Sequence, residues 1–583
     1  MKESTLKMAF KVLALNFIAV SSAFADTFYV RPAGDATSWS NMAGVTSGQI
    51  ITSNTPNIDG TSTYYFAKGT YVLSTQTTDP VTNLPVYNAP VITTGKLYGG
   101  FSGSENSVDL AARVVADKDM NGIVEPWEFT NETVFKGTAP YNDPTGAPRR
   151  LIVVTGGEIN GATLTDHFFF DGAATTSTSS GVITLGNAEI YPTLAMDVDA
   201  NAGKLVLCTV RKIRAGVCGP IMLTNKSSQV DHCLIEECTA EGHNVNFGGG
   251  AIWMNSLGGK ITNSVIRNCE SKLSATGTGK GGAIWSNTGG YQDPAIVEGN
   301  ALIYNCLIYN NSAATYGAGI RAEGHFQSKQ TKSVSVINCT IVNNYTPQKG
   351  TGELELVYYG GSVVNCIVLN SPDIDEIRFQ KDMCLFSNTI YGTHIGTVSF
   401  TSADNIVQGK DIRDLNFVKP LYQAGAVGSP GADFFNQELY DSIRTANFRL
   451  ASAQSIAVTT PGALTLPATI PATASLAVPI PVVGSIPQTD MLNVSRTTTN
   501  NIGTYQYVPT SGLTNIYARS LNVIPLVKSI LINDEAGKVA ALYSASGQFI
   551  SRQMLKSDNE IINLKSGLYI VSVDGLVSRV IVK

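Results

Sequence analysis

A twelve-residue segment, 117–128, carries oxygen-bearing side chains at the intervals of an EF-hand calcium loop. Gly122 stands sixth, where such a loop turns sharply, and Glu128 stands twelfth, where one carboxylate can give two oxygens. The expected ligands are Asp117, Asp119, Asn121 and Glu128 by their side chains, Ile123 by its carbonyl, and Glu125 directly or through water. We therefore predict a structural Ca²⁺ site in this loop. The alternative is an acidic turn that holds no metal.

Three residues that share one position of a repeated segment are candidates for ligand binding. They are Trp253, Trp285 and Arg321, each of which follows a glycine-rich turn and one Ile. Turned outward, the two indole rings would form a platform for sugar rings, with nearby Asn and Ser side chains donating hydrogen bonds. Turned inward, the rings would fill the core. The alternation of residue types around them leaves both orientations open.

Catalytic chemistry has weaker support in the sequence. A polysaccharide lyase needs a base next to groups that neutralise a uronate carboxylate, and the candidates are His243, Lys260, Arg267, Lys280, Arg321, Glu323 and His325. A glycoside hydrolase needs two or three converging carboxylates, and the candidates are Asp231, Glu236 and Glu237. Neither set forms a tight constellation, so we assign no catalytic residue.

The segment that must position these residues is a repeat between residues 230 and 370. Its first half reads Gly-Gly-Ala-Ile-Trp at 249–253 and 281–285, with related segments at 317–321 and 360–363. Its second half reads Asn-Cys, an apolar run and Asn at 305–310, 338–343 and 365–370. Successive second halves lie 31, 42, 33 and 27 residues apart, at positions 233, 264, 306, 339 and 366. Variable spacing indicates loops of different length between fixed strands.

Such short strands need a neighbour above and below to bury their inner side, which predicts parallel stacked coils. Stacking would place Cys233, Cys306, Cys339 and Cys366 in one interior column. It would place Asn310, Asn343 and Asn370 in a ladder at a turn, where Asn tolerates left-handed backbone. The Gly-Gly pairs fit bends that exclude a side chain. The alternative is an antiparallel β-sandwich whose repetition is accidental.

The nine cysteines lie mostly inside apolar strand patterns, where a thiol acts as a small buried hydrophobe. We therefore predict free thiols, with Cys233 and Cys238, or Cys208 and Cys218, as the pairs that a disulfide across a turn would join. No Cys and His spacing suggests a metal site.

Composition and the N-terminus limit the functional classes. Net charge is −5 over 583 residues and no basic cluster is present, which argues against nucleic-acid binding. Lysines, a short apolar run and Ala23-Phe24-Ala25 predict a cleaved signal peptide over 1–25. The apolar run is too short for a transmembrane span, and no other segment could span a bilayer as a helix.

The repeats resemble the coils of right-handed β-helix proteins of the pectin-lyase-like and polymorphic outer-membrane-protein type. Residues 28–30, 64–71 and 96–105 resemble the entry of such surface proteins of Bacteroidetes, and 447–450, 490–496 and 501–507 resemble their closing coil. The Ala-, Pro- and Thr-rich stretch 459–487 is then expected to be a loop inserted in the last turns. The predicted fold class is all-β, with a right-handed single-stranded parallel β-helix over 26–510 and a small C-terminal Ig-like antiparallel β-sandwich over 511–583.

The last 73 residues alternate short strands with turns that include Ser546-Gly547, Ser566-Gly567 and Asp574-Gly575. With Gly567-Leu568-Tyr569 and the basic terminus, they resemble the type A C-terminal sorting domain of the type IX secretion system. That resemblance implies a partner, the secretion machinery, and release from the cell or attachment to the outer-membrane surface. An Ig-like module that binds a ligand is the alternative.

The sequence therefore favours a secreted or cell-surface adhesin or glycan-binding protein without catalytic activity, whose partners would be glycans or a host surface. A secreted polysaccharide lyase or glycoside hydrolase on the same scaffold is the alternative. A structural component of a surface layer is the third hypothesis. The fold alone cannot choose among them.

Overall fold

The computed structural model describes the chain in segments from residue 26 to residue 582. They are 26–73, 75–78, 85–137, 150–165, 182–185, 202–215, 219–240, 248–255, 258–272, 279–287, 300–323, 333–346, 353–357, 361–370, 376–379, 384–395, 405–427, 436–470, 480–482, 484–496, 500–508, 523–526, 529–533, 539–544, 549–555, 559–573 and 576–582. The predicted signal peptide lies outside them. The chain groups into two compact units, one of residues up to 114 with 129–507 and one of 115–128 with 508–583.

Three long sheets of parallel strands build the first unit. Sheet 1 has twelve strands, in the order Ile50–Thr52, Thr27–Arg31, Thr63–Ala67, Lys96–Phe101, Glu158–Asn160, Lys204–Val206, Gln229–Asp231, Gly258–Thr262, Asn300–Tyr304, Ser333–Ile337, Gly361–Val364 and Cys384–Ser387. Sheet 2 has ten strands, Val91–Ile92, Arg150–Val154, Val182–Leu185, Ile221–Leu223, Ile252–Asn255, Ile284–Asn287, Ile320–Glu323, Leu354–Val357, Ile377–Phe379 and His394–Ile395. Sheet 3 has ten strands, Gly69–Val72, Thr133–Lys136, Thr163–Thr165, Thr209–Arg211, Leu234–Glu236, Val265–Arg267, Leu307–Tyr309, Thr340–Val342, Ile367–Leu369 and Ile390–Tyr391. A short sheet 4 joins Arg214–Ala215, Thr239–Ala240, Glu270–Ser271 and Ser312–Ala313.

Each coil visits the sheets in the same order. From Gln229–Asp231 in sheet 1 the chain passes to Leu234–Glu236 in sheet 3, then Thr239–Ala240 in sheet 4, then Ile252–Asn255 in sheet 2. The next coil starts beside the first, and its strands pair in parallel with those of the coil before. The predicted parallel β-helix is confirmed, and the antiparallel alternative for this stretch is wrong.

The corners between sheets depend on left-handed backbone. Between sheets 1 and 3 one residue per coil has a positive φ of 46° to 56°, namely Leu207, His232, Asn263, Asn305, Asn338, Asn365 and Asn388. After sheet 3 a second series does the same, namely Lys212, Glu237, Asn268, Asn310 and Asn343. Asn is frequent here because its short polar side chain tolerates this conformation better than most others do.

The predicted outer ladder is therefore correct for Asn310 and Asn343 but not for Asn370. Asn370 does not take the left-handed conformation. Its N–H donates to Glu376 Oε1 at 2.9 Å and its side chain donates to the carbonyl of Asn344 at 3.2 Å. Asn370 thus ends the series instead of extending it.

The residue after each first corner points inward and forms a column. Cys208, Cys233, Cys306, Cys339 and Cys366 occupy it, and each is fully buried as a free thiol. The Cys233 thiol donates to the carbonyl of Asp231 at 3.3 Å and to that of Leu205, in the previous coil, at 3.5 Å. The predicted interior column is confirmed, and Cys233 and Cys238 are not joined. The side chains of Cys218 and Cys384 lie outside the described residues.

A second interior column follows the second corner and was missed in the sequence. Asn311 Oδ1 accepts from the N–H of Cys269 at 2.9 Å, and Asn344 Oδ1 accepts from the N–H of Asn311 at 2.9 Å. The N–H and side-chain amide of Asn344 both donate to the carboxylate of Glu353, at 2.9 and 2.6 Å. Glu353 is completely buried, and that burial raises its pKa well above the usual value.

Two of the Gly-Gly pairs form bends, as predicted, and these bends lead into sheet 2. The related segment 360–363 was aligned wrongly with them, because Gly361 begins the strand Gly361–Val364 of sheet 1. Gly249 and Gly281 have positive φ values of 83° and 63°. A Cβ on Gly250 would lie 2.0 Å from the carbonyl oxygen of Gly282, so any side chain there would collide with the next coil.

Residues 405–507 differ from the predicted closing coil. They contain a 3₁₀ helix (Ile412–Leu415), helix α1 (Gln437–Arg444) and helix α2 (Ile456–Thr459), with strands Phe417–Lys419 and Asn447–Leu450 paired antiparallel and a small hairpin of Thr469–Ile470 and Ile480–Pro481. This return segment, 405–507, runs back along the corner residues. Asn305 donates to the carbonyl of Thr489 at 2.8 Å, and Asn365 exchanges two hydrogen bonds with the main chain of Ala463. The last parallel pairing in the described chain joins Ile390 to Val407, and the described residues after it cover coils that the chain has already made.

Two further 3₁₀ helices, Ser47–Gln49 and Leu110–Ala112, and the antiparallel pair Thr75–Thr78 with Pro85–Asn88 complete the first unit.

The C-terminal module is a small antiparallel sandwich. One sheet joins Val523–Leu526, Ser529–Asn533 and Asn559–Asn563, and the other joins Phe549–Met554, Val539–Ser544, Gly567–Val573 and Leu576–Val582. Buried residues of both sheets, among them Ile530, Ile562, Leu542 and Val571, share one core. The predicted fold class is confirmed. The boundary predicted at residue 510 stays a prediction.

We predict that Asn338→Ala destabilises the protein more than Asn338→Gly, by about 1 kcal/mol. The reason is that Ala is strained at a φ of 54° whereas Gly is not. The side-chain N and O of Asn338 make no hydrogen bond to any described residue, so conformation alone separates the two variants. Urea unfolding followed by circular dichroism measures the difference.

Asn365 is the matched comparison, because its side chain exchanges hydrogen bonds with Ala463 at 2.9 and 2.6 Å. Asn365→Gly should cost more than Asn338→Gly, by about 1 kcal/mol or more for the lost bonds. Equal stabilities of the Gly and Ala variants at position 338 would contradict the conformational account.

Candidate functional site

The outer face of sheet 2 carries a column of large side chains, one from each coil. In-register pairing sets Met222 beside Trp253, Trp253 beside Trp285, Trp285 beside Arg321, Arg321 beside Glu355, and Glu355 beside Arg378. We call residues 222, 253, 285, 321, 355 and 378 the sheet-2 column. The structure thus brings the three predicted ligand-binding residues into direct succession.

The two tryptophans face away from the interior but are covered. Their strand neighbours Ile252, Met254 and Ile284 belong to the hydrophobic core, so Trp253 and Trp285 point to the opposite side. Their rings stack with centroids 5.7 Å apart and planes 9° apart. Only 2% of Trp253 and 1% of Trp285 is exposed. The stack is therefore neither an open platform nor core filler, and it stiffens the outer face.

Arg321 is held by carboxylates on two sides. Its Nε lies 3.0 Å from Glu323 Oε1, and its Nη1 lies 2.5 Å from Glu355 Oε2. Arg378 Nη1 approaches the other oxygen of Glu355 at 3.5 Å. Glu355 is completely buried, and each of its oxygens lies near one guanidinium. Glu323 also accepts from the indole N–H of Trp285 at 3.1 Å, which connects the aromatic and ionic parts of the column.

Lys280 supplies a further cation beside the column. An isolated parallel bridge, outside the named strands, joins it to Tyr316, and its Nζ lies 5.4 Å from the ring centre of Trp285. Among the described residues no carboxylate forms an ion pair with Lys280. Partial burial lowers the pKa of its ammonium. The guanidinium groups of Arg321 and Arg378 lie 5.4 and 5.1 Å from the ring centre of Tyr316.

The other basic and acidic candidates lie elsewhere. Arg267 projects from sheet 3 and donates to Glu236 at 3.0 and 2.8 Å beneath the return segment, and it also donates to the carbonyl of Arg444. That pair lowers the pKa of Glu236 despite the opposing effect of burial. Lys260 is exposed on sheet 1. His243 and His325 lie outside the described residues.

The three carboxylates considered for hydrolysis each have a local role. Asp231 accepts from Thr262 and Asn263 at 2.6 and 2.9 Å and lies 3.0 Å from His232 Nδ1. Glu236 binds Arg267, and Glu237 lies 3.9 Å from Lys212 Nζ. All three occur at corners or beneath the return segment, so they do not form an open pair.

The acidic loop 117–128 closes on itself. Asp117 accepts from the N–H groups of Asn121 and Gly122 at 3.1 and 2.9 Å. Glu128 accepts from the N–H of Lys118 at 2.8 Å and from that of Glu125 at 2.9 Å. Carboxylate oxygens of Asp117, Asp119 and Glu128 all lie within 4.8 Å of one another. Three of the four residues predicted as side-chain ligands, Asp117, Asp119 and Glu128, therefore converge, and their oxygen donors suit a hard divalent cation.

Burial and mutual repulsion disturb two carboxylates in this loop. Burial, with the charges of Asp119 and Glu128, raises the pKa of Glu125 well above its usual value. Burial also raises the pKa of Glu128 to about 7. Without a cation, the folded loop therefore binds protons at Glu125 and Glu128 more readily than the free side chains do.

Sequence reasoning missed Glu355, Arg378 and Tyr316. The repeat could have been extended to Leu354-Glu355 and Ile377-Arg378, each of which sets a charged residue after an apolar one, as Ile320-Arg321 does. Neither pair has the Gly-Gly signal, so only the period-2 alternation marks them.

Comparison with known proteins adds little about the chemistry. A family model described as a domain of unknown function (DUF6383) matches residues 511–582. No curated protein matches the chain. Among the described residues, no helix has both the length and the apolar character needed to cross a bilayer.

We predict that Glu355→Ala lowers the free energy of unfolding by roughly 3 kcal/mol or more. The variant leaves Arg321, which is largely buried, without one of its two carboxylates. Thermal and urea unfolding of the purified chain measure the loss. Glu270→Ala is the control, since Glu270 forms an exposed pair with Lys272 at 4.0 Å and should cost less than about 1 kcal/mol. Similar losses in the two variants would contradict a structural role for the ionic column.

Proposed function

We propose that this chain is an exported cell-surface protein that binds acidic glycans on the outer face of its β-helix. The observation that carries the proposal is Lys280, a cation without an ion-pair partner among the described residues, fixed over Trp285 and bridged to Tyr316. Arg378, with about a third of its side chain exposed, adds a second cation on the same face. A sugar carboxylate would meet Lys280 and Arg378, and the ring of Tyr316 would offer apolar contact.

The sheet-2 column suits this function because its packing and ion pairs restrict the motion of the contact residues. Arg321 is bound by Glu323 and Glu355, and the stacked indoles lie beneath Lys280. Coils follow one another every ~4.8 Å along the axis, so a chain-like ligand lying along the axis would meet one residue of the column at each step. Preorganised side chains lose little freedom on binding, which favours affinity.

A second candidate is a polysaccharide lyase, and one observation favours it. Burial lowers the pKa of Lys280, and a lysine with a lowered pKa can take a proton from carbon next to a carboxylate. Arg378 would neutralise that carboxylate. The adhesin is preferred because Arg321, Glu323 and Glu355 saturate one another, which leaves no second group for acid catalysis in the described column.

Export is the second part of the proposal. Residues 1–25 have the charge and apolar pattern of a signal peptide, and residues 511–583 resemble a type IX sorting domain. The antiparallel sandwich of the C-terminal module supports this assignment, since such a domain must fold separately from its cargo. The family model that matches 511–582 has no assigned function and leaves the proposal open to test.

We predict that Lys280→Ala weakens binding to uronate-rich glycans at least tenfold, because it removes the unpaired cation of the face. Isothermal titration of the purified chain with uronate-rich and neutral oligosaccharides measures the affinities. Lys260→Ala is the matched control, because Lys260 is exposed on sheet 1 and should leave affinity unchanged.

The same mixtures separate adhesin from enzyme. Unsaturated products absorbing in the ultraviolet, formed by the wild type and absent with Lys280→Ala, would replace the adhesin with the lyase. Equal binding of acidic and neutral glycans would refute the charge-based recognition itself.

A truncation after residue 510 tests export. In a host with a type IX system we expect the full chain to reach the cell surface and the truncated chain to accumulate in the periplasm. Fractionation and labelling of intact cells measure both pools. Surface display of the truncated chain would show that the C-terminal module has another role.

A further inference from the structure

We infer that loop 117–128 binds Ca²⁺ and that Glu125 is a direct ligand of the ion. This inference is independent of glycan binding, since it concerns a different part of the chain. Its first support is the closure of the loop: the N–H of Ala116 donates to the carbonyl of Glu128 at 3.0 Å. The two ends of the loop are thereby fixed to each other.

The backbone of the loop turns its acidic side chains toward one point. Met120 and Gly122 have positive φ values of 60° and 82°, which reverse the chain between Asp119 and Ile123. Loop N–H groups donate to Asp117 and Glu128, so these carboxylates are oriented before any ion arrives. Preorganisation of this kind lowers the cost of binding.

The burial and contacts of Glu125 are evidence for a bound ion beyond the clustering of acidic side chains. Only 2% of it is exposed. Its Oε1 accepts from the side-chain amide of Asn121 at 2.9 Å, whereas its Oε2 is buried and has no hydrogen-bond partner among the described residues. Its main-chain N–H donates to Glu128, which keeps the two carboxyl groups adjacent.

A buried carboxylate oxygen without a partner, next to two further carboxylates, carries a large desolvation cost. A divalent cation among these groups removes that cost, because it ligates the unpaired oxygen and neutralises its neighbours. The side chain of Glu125 is held beside Asn121, another predicted ligand, because the Asn121 amide donates to its Oε1.

The oxygen atoms that the loop offers favour Ca²⁺ over other metal ions. Asp117, Asp119, Glu125 and Glu128 provide carboxylates, and Asn121 and the carbonyl of Ile123 provide neutral oxygens. No nitrogen or sulfur side chain occurs within 117–128 except on Lys118, Met120, Asn121 and Trp127, none of which is a typical zinc ligand. Six oxygen donors in a flexible loop suit Ca²⁺ better than Mg²⁺, which keeps several waters.

The test is a titration of the chelator-treated full chain with CaCl₂. We expect one bound ion with a dissociation constant of about 1 mM or lower, a rise in Tm on saturation, and binding of Mg²⁺ at least tenfold weaker. Terbium should replace calcium, and excitation of Trp127, eleventh in the loop, should sensitise its emission. Trp127→Phe should abolish that emission while retaining calcium affinity, which places the ion in this loop.

Glu125→Gln should weaken Ca²⁺ binding at least tenfold, as should Glu128→Gln. Glu438→Gln, an exposed acidic change on helix α1, is the control and should leave affinity unchanged. Circular dichroism checks that each variant is folded. A loss below threefold in Glu125→Gln would overturn direct ligation. Absence of both a Tm shift and sensitised terbium emission in the wild type would overturn the site.

Discussion

In-register parallel pairing of successive coils is the interaction on which the rest of the structure depends. Each strand is only a few residues long, and it buries its inner side chains only because the next coil repeats its path ~4.8 Å away. A backbone conformation that only a few residue types tolerate therefore requires one of those types again at the same position of the next coil. The left-handed corners show this directly, because Asn263, Asn305, Asn338, Asn365 and Asn388 occupy equivalent positions.

The same constraint builds the candidate binding face. Trp253, Trp285, Arg321, Glu355 and Arg378 are separated by 23 to 36 residues in the chain, yet pairing makes each the neighbour of the next. Loop length between coils has no effect on this order. A site on a β-helix can thus change through single positions of one column while the scaffold stays as it is.

Much of this was predictable from the sequence, for physical reasons. The repeated Gly-Gly and Asn-Cys segments mark bends and corners that only a few residue types satisfy, so they predict the parallel coils and the interior thiols. The acidic loop was predictable because metal ligation fixes both residue type and spacing. The orientation and covering of Trp253 and Trp285 were not, since the alternation around them leaves the side of the strand open and does not tell what lies above it.

The return segment was also beyond sequence reasoning. Residues 447–450 and 501–507 have the alternation of ordinary strands, and only their contacts show that they lie along earlier coils. Thr504 exchanges hydrogen bonds with Thr340, which lies 164 residues earlier. Such a contact depends on the path of the whole chain, and no local pattern encodes it. The ion pairs of Glu355 with Arg321 and Arg378 were also missed, because the strands that carry Glu355 and Arg378 lack the glycine signal.

The hydrogen bonds of the interior series from Cys269 through Asn311 and Asn344 to Glu353 all run in one direction, because each N–H donates to the side chain of the next member. Each amide oxygen accepts from the coil on one side, and the last two donors, both on Asn344, meet the carboxyl group of Glu353. Two coils that exchanged places would set that carboxylate against a thiol or an apolar side chain. The series therefore makes otherwise similar coils chemically distinct. Incorrect pairing between neighbouring repeats during folding is disfavoured as a result.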